Sequence, residues 1–318
     1  MNLFNYDKRK LGKQARELGF VRDTLEKVFR LSEVLKYINS DPLLHENLAL
    51  KGGTAINMTI FNLPRLSVDI DLDYTRNNSR EEMFEERRKI SDSVLKYMVM
   101  NGYELSPKSK SFHSLDSHVF SYVNAAGVKD NIKVEINYSL RSHILSLEQR
   151  AIETLGILDS FQVNSLASIE IFASKIVALL TRVAPRDLYD INNMIYFGLF
   201  DETEFSLLKK CTIFYYAIGG EADFETFNLG KIDELTEYKI RTDLHPVIRK
   251  KERFDLIKAK QRVIDYLSIF SKLSDNEVEF LRAFKNGKYR PELLFEESQI
   301  LERIHNHPMA IWKTRKEC

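Results

Sequence analysis

The chain has 318 residues, of which 44% are hydrophobic and 29% are charged, and its formal net charge is only +1. This is an ordinary globular composition with enough residues for two domains. Near neutrality excludes a protein that attracts nucleic acid through its overall charge, so any binding of RNA must depend on local basic patches.

The cysteines and the apolar runs indicate where the protein works. Cys211 and Cys318 are far apart and lack metal-ligand spacing, which favours a reducing compartment and no disulfide. The N-terminus has no apolar signal segment, and no apolar run approaches the roughly 20 residues that a membrane span requires. We therefore expect a cytoplasmic protein without a membrane partner.

The pattern of residues 7–39 predicts two helices, and the apolar side chains of the second one recur at helical spacing. The first helix carries a basic cluster: Lys8, Arg9, Lys10, Lys13 and Arg16. Such a cluster is either a solvated helix face or a contact for nucleic acid. We expect both helices to be packing elements.

The turn Lys51-Gly52-Gly53-Thr54 lies between the apolar run 48–50 and a predicted helix over residues 55–61. Glycine lets the backbone approach an anion closely, and a helix N-terminus offers unpaired N–H groups and a positive dipole end. This order of elements predicts a phosphate-binding turn, although a Gly-Gly-Thr turn alone is more often a tight connection.

Residues 68–74 alternate between apolar and acidic side chains and predict a half-buried strand. Its aspartates, Asp69, Asp71 and Asp73, share one face, with neighbours about 6.6 Å apart along the strand. Aspartate is disfavoured in strands, and three of them repel each other, so a counter-charge is required. A hard cation with oxygen ligands, Mg²⁺ above all, would provide it.

A capping box at Ser79 and Glu82 predicts a long helix that ends near residue 101, and residues 103–139 predict an antiparallel meander. The last strand of the meander, residues 131–139, carries Glu135 and Lys133 on its polar face.

Glu135 has two possible roles. If its strand pairs with residues 68–74, at about 4.8 Å, Glu135 joins Asp69 and Asp71. Three carboxylates on two adjacent strands suit a two-metal site for phosphoryl transfer. The alternative is a structural pairing with the neighbouring Lys133 on an exposed sheet face.

From residue 168 the apolar period becomes helical, which predicts a boundary near residues 160–167. We expect a mixed α/β domain over residues 1–165 and an all-helical domain over residues 166–318.

Lys175 lies on a mostly apolar predicted helix, where a buried ammonium needs an anionic partner. A triphosphate would serve, and so would Asp187 or Asp190 on the next predicted helix. In the second case these residues form a buried ion pair that joins two helices. Arg186 and Asp190, four positions apart, also suit an ordinary helical ion pair.

A basic stretch follows on a predicted helix and comprises residues 249–253 with Lys258, Lys260 and Arg262. It is a candidate contact for the phosphate backbone of an RNA substrate, and a solvated helix face explains it equally well.

Two blocks of the sequence resemble the AbiEii/AbiGii toxin family of the nucleotidyltransferase (DNA polymerase β-like) superfamily, to which the MenT toxins are related. The first block joins the glycine turn 52–54 to the acidic strand in residues 65–72. The second joins Lys175 and the following Ala-Leu to the Arg-Asp-Leu-Tyr-Asp sequence 186–190. The resemblance covers residues 48–192 by motif and the rest by helical character.

This resemblance implies a nucleotidyltransferase fold, with a mixed α/β sheet, flanking helices and an all-helical C-terminal domain. It implies a toxin of a bacterial toxin–antitoxin or phage abortive-infection system that transfers a nucleoside monophosphate from an NTP to RNA, with a tRNA 3′ end as the expected acceptor. A cognate AbiEi-like antitoxin would be its partner.

The resemblance also implies roles for single residues. The expected metal ligands for two Mg²⁺ ions are Asp69 and Asp71 from the family motif, with Glu135 added by the strand pairing described above and not by the motif. Glu135 would also take the proton of the attacking hydroxyl. The expected nucleotide-binding residues are Gly52, Gly53, Thr54, Arg65, Lys175 and Arg186. Asp187 or Asp190 would orient Lys175. Asp73, the next residue on the same face after Asp71, would support the metal ligands without binding the metal itself.

Two other functions fit the same acids. A small-molecule nucleotidyltransferase that modifies an antibiotic would use these carboxylates with another acceptor, but the block at residues 175–190 favours the toxin family. A non-catalytic nucleotide- or RNA-binding module would keep the fold without the reaction, and the intact set of acids argues against it.

Overall fold

The structure is a computed structural model that describes residues 6–219 and 227–315. The chain divides into two compact units. The first runs to Arg141 and also contains Leu147–Leu166 and Pro246–Glu252, and the second contains Ser142–Ser146, Ala167–His245 and the chain from Arg253 onward. The predicted division at residues 160–167 stays a prediction for the functional domains.

The helices of the first unit flank one mixed sheet. They are α1 Lys8–Leu18, α2 Arg22–Ser40, α3 Pro42–Asn47, α4 Gly52–Ala55, which continues as a π-helical turn Ile56–Ile60, and α5 Arg80–Met100. The strands are β1 Leu48–Lys51, β2 Asp69–Tyr74, β3 Glu104–Leu105, β4 Lys110–Ser111, β5 Leu115–Val123, β6 Lys129–Asn137, β7 Glu148–Ala151 and β8 Gln162–Ser165.

The sheet places the acidic strand at its centre. The strand order is β3-β5-β6-β2-β1-β8-β7, with β4 on β5. β2 pairs in parallel with β6 and antiparallel with β1. Its alternate residues Ile70, Leu72 and Tyr74 are almost completely buried, which fixes the register because a one-residue slip would expose them.

All the regular secondary-structure elements among the described residues of the second unit are helical. Its α-helices are α6 Ser168–Arg182, α7 Pro185–Tyr196, α8 Glu202–Gly219, α9 Glu237–Lys239, α10 Leu256–Phe270, α11 Asp275–Lys285, α12 Ser298–Ile304 and α13 Pro308–Arg315. Shorter turns of other helical types are Leu229–Glu234, Ile240–Leu244 and Pro291–Leu293. The expected fold class, a mixed α/β sheet with flanking helices and a helical C-terminal part, is confirmed.

Several local predictions are confirmed and two are wrong. The capping box at Ser79 and Glu82 is present with both of its hydrogen bonds. The helix after the glycine turn begins at Gly52 instead of residue 55, so the glycines form its first turn. The predicted helix over residues 249–253 is absent, because the next helix starts only where Asp255 caps it by accepting from the Lys258 N–H.

No helix among the described residues is both long and apolar enough to cross a bilayer. Cys211 is a buried free thiol, and Cys318 lies outside the described residues.

Candidate active site

The register of β2 and β6 places their polar residues next to each other. Asp69 stands opposite Lys133, and Asp71 stands opposite Glu135. Directly opposed residues on neighbouring strands project to the same face of a sheet, with the strands about 4.8 Å apart. The strand pairing on which the expected approach of Glu135 to Asp71 depends is therefore present.

Lys133 supplies counter-charge to this acidic face. Its Nζ lies 2.9 Å from Oε2 of Glu135. Partial burial lowers the pKa of Lys133, but the hydrogen bond and charge of Glu135, followed by the charges of Asp69 and Asp71, outweigh burial and raise this pKa above its usual value. The structural pairing of Glu135 with Lys133 is thus present together with the strand pairing.

Asp73 differs from the two aspartates before it. It is fully buried, and its carboxylate forms an ion pair with Lys51. Asp69 and Asp71 both keep part of their surface exposed. Of the three aspartates of β2, Asp69 and Asp71 are therefore the ones whose oxygens a ligand from solvent can reach.

The glycine turn lets two charged groups approach the backbone closely. A Cβ on Gly52 would lie 2.5 Å from Oδ2 of Asp71, and a Cβ on Gly53 would lie 2.9 Å from Nη2 of Arg65. Gly52 also has a φ of +68°, which side chains rarely adopt. Glycine at both positions leaves room for a carboxylate and a guanidinium beside the start of α4.

Arg65 is held in place by its own backbone. It is 2% exposed, and its Nη1 donates to the carbonyl of Leu66 at 3.1 Å. The main chain of Arg65 pairs with Ile248, and the Leu66 N–H donates to the carbonyl of Val247 at 2.7 Å. A buried guanidinium so fixed is a permanent positive charge at the glycine turn.

Thr54 connects the turn to the acidic strand. Its side chain is fully buried, and its hydroxyl donates to the backbone carbonyl of Asp69. Asn57, one helical turn later, donates from Nδ2 to the carbonyl of Gly53 at 2.8 Å. These bonds attach the turn to the backbone of Asp69 at the start of β2.

The acidic face fits a divalent cation in part. Half-exposed carboxylates on one face, here Asp69 and Asp71, are the oxygen donors that Mg²⁺ prefers. Within residues 6–219 and 227–315, no three His, Cys, Asp or Glu side chains converge closely enough to hold a metal ion. Glu135 is engaged by Lys133, so a ligand role requires it to exchange this ammonium for the ion.

Lys175, Asp187 and Asp190 form a separate cluster in the second unit. Nζ of Lys175 lies 3.0 Å from Oδ1 of Asp187 and 3.2 Å from Oδ2 of Asp190. The side chain of Lys175 is 7% exposed and the two carboxylates are 1% exposed. The structure therefore contains the buried ion pair between α6 and α7 that the sequence offered as one alternative.

Arg182 completes this cluster. Its Nε and Nη2 donate to Oδ2 and Oδ1 of Asp187 at 2.7 and 2.9 Å. Burial raises the pKa of Asp187, but the charges and hydrogen bonds of Lys175 and Arg182 outweigh burial and lower this pKa to about 2. Arg186, one residue before Asp187, donates from Nε to the carbonyl of Asp243 at 2.9 Å.

Sequence reasoning assigned no role to two residues of these clusters. Arg182 lies between Lys175 and Asp187 in the sequence, and its spacing of five from Asp187 across Pro185 was the available signal. Ser67 has its Oγ 3.2 Å from the position of a Cβ on Gly53. No local pattern marked Ser67, because its neighbourhood arises from the fold.

The chain matches a known family over most of its length. A family model described as nucleotidyl transferase AbiEii toxin, type IV toxin–antitoxin system, matches residues 33–263. This range contains every residue that the sequence singled out for the site. No curated protein sequence gives a significant match.

Two solved structures are similar in different degrees. MenT4, a nucleotidyltransferase toxin from Mycobacterium tuberculosis H37Rv, aligns with a TM-score of 0.64 and 14% identity over 96% of this chain and 99% of its own. At this identity the likeness shows the fold alone. The E. coli MS115-1 CdnC:HORMA-deltaN complex aligns over 94% of this chain and 97% of its own, at 14% identity, but its TM-score of 0.25 carries no structural argument.

Proposed function

Because this chain belongs to the family of AbiEii nucleotidyl transferase toxins of type IV toxin–antitoxin systems, we propose that it transfers a nucleoside monophosphate from an NTP to RNA, with a tRNA 3′ end as acceptor. Nucleotidyl transfer comes with the family, as do an NTP donor and an antitoxin partner. The RNA acceptor, the dependence on Mg²⁺, a cognate AbiEi-like antitoxin, a role in phage defence and the residue roles below are our proposal.

One observation supports this reaction most directly. A Cβ on Gly52 would lie 2.5 Å from a carboxylate oxygen of Asp71, and a Cβ on Gly53 would lie 2.9 Å from the guanidinium of Arg65. A negative and a positive group thus flank the start of a helix. In a triphosphate with its metal ion, the cation suits the carboxylate and the phosphate oxygens suit the guanidinium.

Asp69 and Asp71 would hold the divalent ion, which when bound neutralises the phosphate charge that builds up during transfer. Gly52 and Gly53 would present backbone N–H groups to the phosphates, beside the guanidinium of Arg65. Thr54 acts through Asp69, whose carbonyl it binds, and is therefore a positioning residue.

Glu135 would receive the proton of the attacking hydroxyl. The hydroxyl oxygen forms a bond to the α-phosphorus, the bond from this phosphorus to the leaving pyrophosphate breaks, and the proton passes to a carboxylate oxygen of Glu135. Lys133 holds this carboxylate at 2.9 Å before the reaction, on the same face as Asp71.

Lys175, with Asp187 and Asp190 orienting it and Arg186 beside them, is our proposed further contact for the triphosphate. The ion pairs of Lys175 hold its ammonium at 3.0 and 3.2 Å from the two carboxylates. These contacts orient the ammonium, and a phosphate that binds it would have to join or displace the two carboxylates.

The test is transfer of label to RNA. Purified protein is incubated with total tRNA and each of the four α-labelled NTPs, in Mg²⁺ or in EDTA, and compared with Asp71→Ala. We expect labelled tRNA from the wild type in Mg²⁺. The variant should lose more than about a hundredfold, since even residues that only support a metal ligand cost roughly 10- to 100-fold.

Asp92→Ala is the matched control, because it removes an exposed carboxylate from α5 of the same unit. It should label tRNA as the wild type does, and thermal melts should show that both variants fold. Transfer that persists in Asp71→Ala or in EDTA would refute the metal assignment. Label that enters no RNA would refute the acceptor.

A further inference from the structure

We propose that an exposed basic face of the first unit binds the sugar–phosphate backbone of the RNA acceptor. This basic face is formed by two segments that are remote in sequence: Lys8, Arg9, Lys10, Lys13 and Arg16 of α1, and Arg249, Lys250 and Lys251. The identity of the polyanion rests on the proposed function, whereas the face itself rests on contacts within the unit.

Backbone and side-chain contacts join the two segments. Gly19 ends α1 in the left-handed conformation, and its carbonyl accepts a hydrogen bond of 2.7 Å from the Lys250 N–H. A Cβ on Gly19 would lie 3.7 Å from Cβ of Arg249. The guanidinium of Arg249 lies over the buried ring of Phe20, at 5.4 Å from its centroid. The segment therefore packs directly against the C-terminal end of α1.

The basic side chains of α1 point to solvent. The helix buries Leu11 and Ala15, which are four residues apart and lie on one stripe. The five basic residues of α1, together with Lys250 and Lys251, are exposed. Nζ of Lys13 lies 3.9 Å from Glu17, with both side chains more than half exposed, and such a pair is weak enough to be exchanged for phosphate.

The charge of this face differs from that of the whole chain. Residues 7–19 and 249–252 contain eight basic residues and three acidic ones. The whole chain is nearly balanced, with 47 basic and 46 acidic residues. A local excess of this kind on an otherwise neutral protein is the electrostatic signature of a backbone-binding surface.

The same segment leads to the glycine turn. Ile248, the residue before Arg249, pairs with the main chain of Arg65. The guanidinium of Arg65 in turn lies beside Gly53. The basic segment thus directly follows a residue that packs at this turn, and an RNA bound along the basic face would have its acceptor end guided towards the nucleotide.

The test measures binding of RNA without NTP as a function of salt. The probes are total tRNA and a 20-base-pair RNA duplex, titrated in KCl from low to moderate concentration. Lys10→Glu/Lys13→Glu/Arg16→Glu is compared with Arg88→Glu/Lys89→Glu/Lys96→Glu, which makes the same charge change at exposed positions of α5 in the same unit. Glutamate and lysine have similar helix propensities, so both helices should persist.

We expect the α1 variant to lose at least about tenfold in affinity at low salt, and its salt slope to fall by about 2 to 3, because each lost phosphate contact removes slightly less than one from this slope. The α5 variant should stay within about twofold of the wild type, since it changes only the long-range field. Lys250→Ala/Lys251→Ala should reduce affinity and slope in the same direction as the α1 variant.

Equal losses in the α1 and α5 variants, or no loss in either, would overturn the proposal. Binding of NTP alone should be unchanged in the α1 variant, and an altered NTP affinity would also count against it. The proposed reaction fails separately, when Asp71→Ala still transfers label or when no RNA is labelled. RNA binding that depends on the α1 residues would survive that failure.

Discussion

Two pairs of aspartates, one in each unit, have similar chemistry and opposite surroundings. Asp69 and Asp71 lie two residues apart on β2 and keep part of their surface exposed. Asp187 and Asp190 lie three residues apart on α7 and are 1% exposed. Each pair lies near one lysine, Lys133 for the first and Lys175 for the second.

The difference between the pairs lies in how firmly their partners are held. A buried carboxylate stays ionised only with saturating partners, and Asp187 has both Lys175 and a bidentate Arg182. The side chain of Lys133 is 36% exposed, so water can replace it beside Glu135. Half-exposed carboxylates can therefore exchange an ammonium for a ligand, whereas the buried cluster exchanges its partners only at a large cost.

The largest effect is expected from removing the lysine of each pair. Lys175→Met should lower the free energy of unfolding by roughly 3 to 5 kcal/mol, because it leaves buried carboxylates without their shared partner. Lys133→Met is the matched control and should cost less than about 1 kcal/mol, as exposed ion pairs do. Urea unfolding followed by circular dichroism measures both. Equal losses would show that the buried and the half-exposed lysine stabilise the fold to the same extent.

The second test concerns the close approach at the glycine turn. Gly52→Ala forces a Cβ against Oδ2 of Asp71, and a displacement of about 1 Å in an active site can cost about a hundredfold in rate. Gly127→Ala is the control, because Gly127 has a φ of +82° but open space around it.

Both glycine variants should lose about 1 to 2 kcal/mol of stability from the left-handed backbone. Transfer of label should fall only in Gly52→Ala. A normal rate in Gly52→Ala would mean that the position of Asp71 is unimportant for the reaction, and the proposed nucleotide site would be misplaced.

The sequence predicted the acidic strand well, because its side-chain period is local. The alternation at Ile70, Leu72 and Tyr74 defines the buried face, and Asp69 and Asp71 necessarily share the other face. The capping box of α5 was also visible, since both of its members lie within one turn. Local patterns of this kind require no knowledge of the rest of the chain.

Contacts between remote segments were beyond such reasoning. The pairing of Arg65 with Ile248 joins segments that no local pattern connects, and it fixes the guanidinium at the glycine turn. For Lys175, the sequence offered two kinds of partner, a triphosphate or the carboxylates of Asp187 and Asp190. The structure was needed to show that Lys175 contacts both carboxylates. Residues 249–253 are not helical although arginine and lysine have good helix propensity, and the next helix begins after the N-cap residue Asp255.

The third test uses pH to separate the buried pair from the exposed one. The folded pKa of Asp187 is about 2, below its ordinary value of 3.8, so its stabilisation is fully present above about pH 5 and is lost as the pH falls towards 2. The difference in unfolding free energy between wild type and Asp187→Asn should therefore shrink by about 2 kcal/mol from pH 5 to pH 2.

Arg182→Met supplies the control for this pH dependence. It removes one of the two cations that lower the pKa of Asp187, so the shrinkage measured in the Arg182→Met background should be smaller. Chemical unfolding at several pH values gives both quantities. A difference that stays constant down to pH 2 would show that the ion pairs of Asp187 do not form in solution.

The smallest expected effect concerns the half-exposed carboxylates and Lys133. Lys133→Met removes an ammonium that competes for the carboxylates a divalent ion would use, so the ion should bind at lower concentration. At a few ångströms near a protein surface this charge is worth about 1 kcal/mol or somewhat more, which corresponds to about fivefold in the dissociation constant. Binding of Mn²⁺ to the protein without nucleotide, followed by electron paramagnetic resonance, measures it independently of activity.

Lys129→Met provides the control, because it removes an exposed lysine from the start of the same strand. It should leave the Mn²⁺ affinity within about twofold of the wild type, since a charge beyond about one Debye length is largely screened. Weaker binding of Mn²⁺ in Lys133→Met would mean that Lys133 holds Glu135 in place for the ion instead of competing with it. The acidic face would then resemble the buried cluster, in which the lysine is part of the arrangement and not a substitute for a ligand.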